Sequence, residues 1–259
     1  MPHKVFITGA SSGIGEALAV YYAAQGATLG LAARRGEVLA ALNQRLGGQH
    51  ATYALDVADA PALQAAAADF IQRFGAPDIV IASAGVSAGT LTECAEDLPV
   101  IRRIFDINVY GMAATFAPFI PAMRAVPQPQ RGRLVGIASV AGIRGLPGAE
   151  AYSASKAAAI AYLESLRLEM RSEGGPRVVT IAPGYIATPM TAVNPYKMPF
   201  LLPADRAAER FAAAIKRGSS YVVIPWQMGL VAKLLRLLPN WLYDRLFANA
   251  PRKPRGLLE

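Results

Sequence analysis

The chain has 259 residues, of which 53% are hydrophobic and 17% charged, so it can bury one large core. A single cysteine, Cys94, excludes an intrachain disulfide, and the two histidines, His3 and His50, lack a recognisable metal-ligand spacing, so we expect chemistry without a metal. The formal net charge of +8 would suit an acidic partner, but the basic residues are mostly scattered among carboxylates, and we expect no nucleic-acid partner.

Short apolar runs rich in β-branched residues alternate with longer helical patterns along most of the chain. The runs cover residues 5–8, 27–32, 52–55, 79–82, 133–138, 178–181 and 221–224. Continuous hydrophobicity indicates strands that are buried on both faces, and helical segments between successive strands require parallel crossovers. The sequence therefore predicts an α/β fold, a doubly wound sheet of about seven parallel strands with helices on both faces, in a single domain.

Polar and turn-forming residues directly follow four of these predicted strands, namely Gly9, Ser83, Ser139 and Pro183. Ligands of doubly wound sheets bind beyond the carboxyl ends of the strands. We therefore expect these four positions to lie along one edge of the sheet, around a ligand site.

A glycine-rich turn, T-G-A-S-S-G-I-G, follows the first predicted strand and opens a helical pattern. Its glycines, Gly9, Gly13 and Gly15, let backbone amides approach a phosphate, and the helix N-terminus adds a favourable dipole. Tight turns also use glycine for conformational reasons with no ligand present. We interpret the turn as the phosphate site of a dinucleotide.

Two arginines, Arg34 and Arg35, follow the second predicted strand, roughly twenty residues beyond the glycines, where an NAD-binding fold places an acid on the ribose 2′-hydroxyl. Because the charge is reversed here, a 2′-phosphate is the better match, and we predict NADP(H) in preference to NAD(H). The alternative is that these arginines cap a helix or are simply solvated.

A tyrosine and a lysine, Tyr152 and Lys156, are four residues apart and share one face of a predicted helix. A nearby ammonium favours the ionised phenol, and lowering a phenol pKa from about 10 by two or three units requires roughly 3 to 4 kcal/mol. The pair therefore predicts a proton carrier, although this spacing alone is also common on ordinary helix faces.

These motifs, in this order, resemble the short-chain dehydrogenase/reductase family, over about residues 4–225. The resemblance covers the glycine turn, Asp56-Val57, Asn108 within N-V-Y-G, Ser139, the Y-S-A-S-K run from Tyr152 to Lys156, Pro183-Gly184 and Thr188. It implies a Rossmann fold and direct hydride transfer between a nicotinamide and a carbonyl or secondary alcohol. It implies four catalytic residues: Asn108, Ser139, Tyr152 and Lys156. The cofactor contacts expected from the turn, the arginines and the resemblance together are Gly9, Ser11, Ser12, Gly13, Ile14, Gly15, Arg34, Arg35, Asp56, Val57, Ala84, Gly85, Tyr152, Lys156, Pro183, Gly184, Ile186 and Thr188.

The resemblance also implies a role for each catalytic residue. Tyr152 would give its proton to the developing alkoxide, and Ser139 would hydrogen-bond the same oxygen. Lys156 would lower the phenol pKa and hold the ribose hydroxyls of the nicotinamide, and Asn108 would position a water in a proton relay. Alternatively, Asn108 serves a helix bend, and Thr188 caps the helix that begins near Pro189.

The sequence departs from the family's pattern at two positions in the cofactor region. Ser83 stands where relatives commonly carry asparagine, and Ser12 stands where many NADP-using relatives carry a basic residue. The prediction of NADP(H) therefore depends on Arg34 and Arg35.

Two later segments concern the substrate and possible partners. Residues 185–202 correspond to the family's substrate flap, and their methionine and aromatic side chains favour a lipophilic substrate. Beyond the predicted catalytic domain, 1–225, residues 226–259 form an apolar, basic extension of two short helices broken at Pro239. We expect its wide apolar face to be covered by the core, by a second subunit in a homodimer or homotetramer, or by lipid. The basic run from Arg252 to Arg255 would suit an anionic membrane surface.

The sequence thus predicts a cytoplasmic protein, since no apolar signal segment precedes Lys4, with peripheral membrane contact as an option. Its predicted function is an NADP(H)-dependent oxidoreductase that acts on a lipophilic carbonyl compound or alcohol. The alternative is an NADP-binding sensor or scaffold that keeps the fold without turnover. Sugar-nucleotide epimerases also use the Tyr-Lys pair, but typically on longer chains.

Overall fold

A computed structural model describes residues 3–127, 132–250 and 252–256. Within these ranges, seven parallel strands form one sheet in the order β3-β2-β1-β4-β5-β6-β9, and two short strands, β7 and β8, pair separately. The strands are β1 Lys4–Thr8, β2 Thr28–Ala33, β3 Ala51–Ala54, β4 Ile79–Ala82, β5 Arg133–Ile137, β6 Arg177–Pro183, β7 Ile186–Ala187, β8 Leu202–Pro203 and β9 Tyr221–Ile224. The predicted doubly wound sheet of a single domain is confirmed.

Helices connect the strands and cover both faces of the sheet. They are α1 Gly13–Ala24, α2 Gly36–Arg45, α3 Ala60–Phe74, α4 Leu98–Phe105, α5 Gly111–Phe116, α6 Ile120–Ala125, α7 Glu150–Ser172, α8 Pro189–Ala192, α9 Ala204–Arg217, α10 Trp226–Leu237 and α11 Asn240–Phe247. Local signals account for several bounds: the Asp59 side chain accepts the Ala62 N–H (3.0 Å) at the start of α3, and α9 ends at Gly218 in the left-handed conformation.

The strand side chains alternate between two hydrophobic cores. Val5 and Ile7 face the layer that contains α1, α2 and α9, whereas Phe6 faces the layer that contains α3, α5 and α7. Because both faces are buried, β1 is apolar without a polar alternation. Parallel register brings the carboxyl ends of all the strands to one edge, for example Thr8 beside Ala32 and Ala82.

The extension after β9 folds into α10 and α11, which are separated at Pro239. Met228, Ala232 and Tyr243 are buried, but Leu237 is 80% exposed and Trp241 is 69% exposed. The core therefore covers only part of this apolar surface. No helix in the described ranges is both long and apolar enough to cross a membrane.

Candidate active site

Two adjoining cavities lie at the carboxyl edge of the sheet, and predicted site residues line both. The larger has a volume of about 680 Å³. Its lining includes Gly9, Ser11, Ser12, Gly13, Ile14, Gly15, Arg34, Arg35, Asp56, Val57, Ala84, Gly85 and Thr188. The smaller, of about 90 Å³, is lined in part by Ser139, Tyr152, Lys156, Pro183, Gly184, Ile186 and Thr188. Ile14, Gly85 and Thr188 border both, so the cavities form one continuous region.

The glycine turn wraps closely around the ends of β1 and β4. Gly9 has φ 69°, and a Cβ at this position would lie 2.7 Å from the Cα of Ala84. A Cβ at Gly15 would overlap the carbonyl oxygen of Gly9. Both positions therefore require glycine, and the bare backbone leaves a cradle at the N-terminus of α1 that fits the phosphates of a dinucleotide.

Arg34 and Arg35 are both exposed at the rim of the larger cavity. Arg35 donates a hydrogen bond to the Ser11 hydroxyl (3.3 Å), which joins the end of β2 to the glycine turn. Arg35 occupies the position before α2, but its side chain makes no cap hydrogen bond there. The side chain of Arg35 therefore does not cap α2. The guanidinium groups of Arg34 and Arg35 both lie beside the phosphate cradle.

Asp56, which also lines this cavity, is already held by protein groups. Burial opposes its ionisation, but the N–H of Ala58 (2.9 Å) and the guanidinium of Arg103 outweigh burial, with help from Arg34, so the pKa of Asp56 lies below its usual range. Arg103 was not found by sequence reasoning, because nothing in α4 signals a contact 47 residues away. It orients the carboxylate at the cavity wall.

Lys156 is buried on the second turn of α7, with 5% of its surface exposed. Its ammonium donates to the carbonyl of Ile137 (2.9 Å) and lies 5.9 Å from the ring centroid of Tyr152. Burial lowers the pKa of Lys156 to about 8, because removal from water disfavours the charged form.

The predicted depression of the Tyr152 pKa by Lys156 is wrong for this arrangement. Burial raises the pKa of Tyr152, and only interaction with the Ser139 hydroxyl acts against it. The distance to the Lys156 ammonium and the burial of both groups explain the difference. Tyr152 is therefore protonated at neutral pH, which is the form that a proton donor needs.

Ser139 precedes a short 3-10 helix, Val140–Gly142, at the end of β5. Its hydroxyl oxygen accepts the N–H of Ala141 (3.1 Å), and the residue is buried. A hydroxyl that accepts from the backbone keeps its own proton free to donate. Ser139 is thus held as a donor beside Tyr152.

Asn108 lies in a π-helical turn, Asp106–Tyr110, and is fully buried. Its amide accepts the N–H of Val86 (2.9 Å) and donates to the carbonyl of Val86 (3.0 Å) and to the hydroxyl of Ser155 (3.0 Å). It therefore ties the loop after β4 to α7, and its amide is occupied in doing so. The position of Asn108 within the π-helical turn agrees with the alternative in which it accommodates a helix bend. Its role in positioning a water stays a prediction.

Thr188 occupies the N-cap position of α8 and still borders both cavities. Its backbone N–H is bonded to the Thr191 hydroxyl (3.0 Å) at the start of α8, and its methyl group would be 3.2 Å from a Cβ at Gly13.

Farther along the flap, Tyr196 packs on Tyr185 with ring centroids 6.4 Å apart. Burial, then Tyr185 and Tyr152, raise the pKa of Tyr196 to about 12, so the flap reaches the neighbourhood of Tyr152.

A second lysine, Lys253, lies beside Tyr152, and sequence reasoning missed it. Its ammonium is 5.2 Å from the Tyr152 ring centroid and donates to the Ser87 hydroxyl (2.6 Å). Arg255 pairs with Glu96 and Asp97. Both cations are engaged with protein groups, and contact of this basic run with an anionic membrane stays a prediction. No local pattern could reveal contacts to residues more than 150 positions away.

Comparison with known proteins places the chain in a family. A short chain dehydrogenase family model matches residues 3–198. An uncharacterized oxidoreductase from Myxococcus xanthus is 40% identical over 243 residues, covering 92% of this chain and 93% of that protein. Dehydrogenase/reductase SDR family member 7B from Bos taurus is 33% identical over 272 residues, covering 97% of this chain and 82% of that protein.

A solved short-chain dehydrogenase from Streptomyces avermitilis has the same fold, with a TM-score of 0.73 at 24% identity, covering 90% of this chain and 92% of that one. The chain belongs to the short-chain dehydrogenase/reductase family and is an oxidoreductase of that family.

Proposed function

We propose that this protein is an NADP(H)-dependent oxidoreductase that interconverts a carbonyl group and a secondary alcohol on a lipophilic substrate, with Tyr152 as the general acid and base. The observation that carries the proposal is the continuity of the two cavities. One holds the glycine turn and two guanidinium groups, and the other holds Ser139, Tyr152 and Lys156.

The glycine turn and the N-terminus of α1 would hold the pyrophosphate, and Arg34 and Arg35 would pair with a 2′-phosphate. Lys156 would hold the nicotinamide ribose hydroxyls. When bound, the nicotinamide supplies or accepts the hydride. The remaining steps belong to groups of the chain itself.

Reduction requires a proton donor and a group that fixes the carbonyl oxygen. Tyr152, protonated at neutral pH, would donate its proton to the oxygen as the alkoxide develops. Ser139 would donate a hydrogen bond to the same oxygen and so orient the carbon for attack. At neutral pH Tyr152 is therefore in the protonated form that reduction uses, whereas oxidation would use the phenolate.

The second candidate, a cofactor-binding sensor or scaffold without turnover, is separated from the enzyme by one experiment. Purified protein is titrated with NADPH and with NADH by cofactor fluorescence, and is then assayed at 340 nm with a panel of lipophilic ketones and secondary alcohols. The oxidoreductase proposal expects tighter NADPH binding and turnover with part of the panel. Tight binding without turnover across the panel would favour the sensor, and equal affinity for both cofactors would refute the NADP(H) preference.

A further inference from the structure

The tail segment, residues 252–256, is fastened to the loop after β4 and to the residues that precede α4. Arg255 pairs with Glu96 and Asp97, each at 3.0 Å, and the N–H of Gly89 donates to the carbonyl of Pro254 (2.7 Å). Asp97 is 4% exposed, and its carboxylate also accepts the N–H of Leu91 (2.8 Å). The carboxylate that binds Arg255 is therefore itself held in place by the backbone. These bonds fix the backbone directly after Lys253.

Two glycines make room for this tail segment, 252–256. A Cβ at Gly89 would overlap the carbonyl oxygen of Lys253, and a Cβ at Gly148 would lie 2.8 Å from the Cγ of Arg252. Gly148 has φ 63°, which other residues rarely adopt. The backbone near the catalytic serine and tyrosine is thus shaped to accept the segment closely.

Lys253 points from the tail segment into the catalytic region. Its ammonium donates to the Ser87 hydroxyl (2.6 Å) and lies 5.2 Å from the ring centroid of Tyr152. Lys156 approaches the same ring to 5.9 Å. Two ammonium groups therefore lie close to the Tyr152 ring. Lys156 is buried and bonded to the Ile137 carbonyl, whereas Lys253 is half-buried and bonded to Ser87, which lines the larger cavity.

The charge of Lys253 lacks a balancing acid in the part of the chain that the structure describes, where no carboxylate forms an ion pair with it. The nearby acids, Glu96 and Asp97, are engaged by Arg255. Burial lowers the pKa of Lys253 to about 8, as is typical of an ammonium taken from water without a counter-ion. An ammonium has three N–H donors, and Ser87 takes one.

We infer that Lys253, with Ser87, forms a subsite for a carboxylate of the substrate, close to the carbonyl that is reduced beside Tyr152. One half-buried ammonium matches one negative charge, and the Ser87 hydroxyl supplies a second donor. The inference rests on the proposed function in that it places the anion beside the reacting carbonyl. The substrate class is thereby narrowed to lipophilic carbonyl compounds that carry a carboxylate a short distance away.

A binding experiment tests the subsite without requiring turnover. Hexanoate and hexanamide have nearly the same size and neither is reduced, so calorimetric titration of the protein, alone and with NADP⁺, isolates the effect of the charge. We expect hexanoate to bind about tenfold or more tightly than hexanamide. This preference should disappear in Lys253→Met and in Lys253→Gln, and should persist in Lys233→Met, which removes the same charge from an exposed position on α10.

Equal affinity for the two probes in the wild-type protein, or an unchanged preference in both Lys253 variants, would overturn the inference. A parallel assay compares the reduction of 5-oxohexanoate, a ketone, with that of its methyl ester, and we expect kcat/KM to favour the acid by about tenfold in the wild type alone. Failure to reduce either ketone, with the hexanoate preference intact, would count against the proposed function and not against the carboxylate subsite.

Discussion

Replacing Lys156 by Met should stabilise the folded protein at neutral pH while abolishing turnover. The pKa of Lys156 falls from 10.5 to about 8 on burial, which corresponds to a cost of about 3 kcal/mol for keeping the ammonium charged in the folded state at pH 7. Methionine has a similar length and no charge. The variant also loses the hydrogen bond to the Ile137 carbonyl, which offsets about 1 to 2 kcal/mol of this stabilisation. We therefore expect the free energy of unfolding at pH 7 to rise by about 1 to 2 kcal/mol.

The difference in the free energy of unfolding between the variant and the wild type should depend on pH. Because the folded-state pKa lies below the unfolded value, the unfolded wild-type chain binds more protons between pH 8 and 10.5, and the contribution of Lys156 to stability rises with pH through that window. Urea unfolding, followed by circular dichroism at pH 7 and at pH 9.5, should therefore show a smaller advantage of the variant at the higher pH. Other titrating groups are common to both proteins and cancel in the comparison.

A matched control is Lys233→Met, at an exposed position of α10, where we expect a change below about 0.5 kcal/mol at both pH values. The reasoning would be refuted if Lys156→Met were less stable than the wild type at pH 7, or if the difference between the two proteins were the same at both pH values.

Further predictions concern the cofactor, the pH profile and the extension. Replacing Arg34 and Arg35 together by Ala should weaken NADPH binding by about tenfold or more and leave NADH binding nearly unchanged, measured by cofactor fluorescence; equal losses would contradict a 2′-phosphate contact. Carbonyl reduction should stay constant between pH 6 and 7 and decline through pH 8 as Lys156 loses its charge, and a decline beginning near pH 6 would contradict the raised pKa of the proton donor. Replacing Leu237 and Trp241 by Glu should lower the molar mass in light scattering if this exposed surface joins two subunits, and an unchanged mass with lost binding to anionic vesicles would assign it to lipid.

The doubly wound parallel sheet and the edge that carries the site were predictable because both follow from local patterns. Strands buried on both faces read as continuous apolar runs, and the residues after them, such as Gly9 and Ser139, fall at the carboxyl edge whatever the details of packing. The positions of Tyr152 and Lys156 in the smaller cavity follow from their spacing on α7.

The electrostatics of the site and the course of the tail were not predictable in this way. The pKa of Tyr152 depends on how deeply the phenol is buried, which a helical spacing does not report. The bonds of Asn108 to Val86, and of Lys253 to Ser87, join positions far apart in sequence, and neither leaves a periodic signal. Such contacts can be identified only when the positions of the loop after β4 and of the tail segment in the fold are known.

The proposed mechanism requires that Tyr152 gives its proton to the substrate oxygen during reduction. The most direct test is a single-turnover measurement of NADPH absorbance at 340 nm with Tyr152→Phe and the wild-type protein, using the carbonyl compound that the wild type reduces fastest. We expect the variant to bind NADPH within about threefold of the wild type and to reduce the substrate about 10² to 10⁴ times more slowly. A variant that oxidises NADPH at the wild-type rate would contradict the claim.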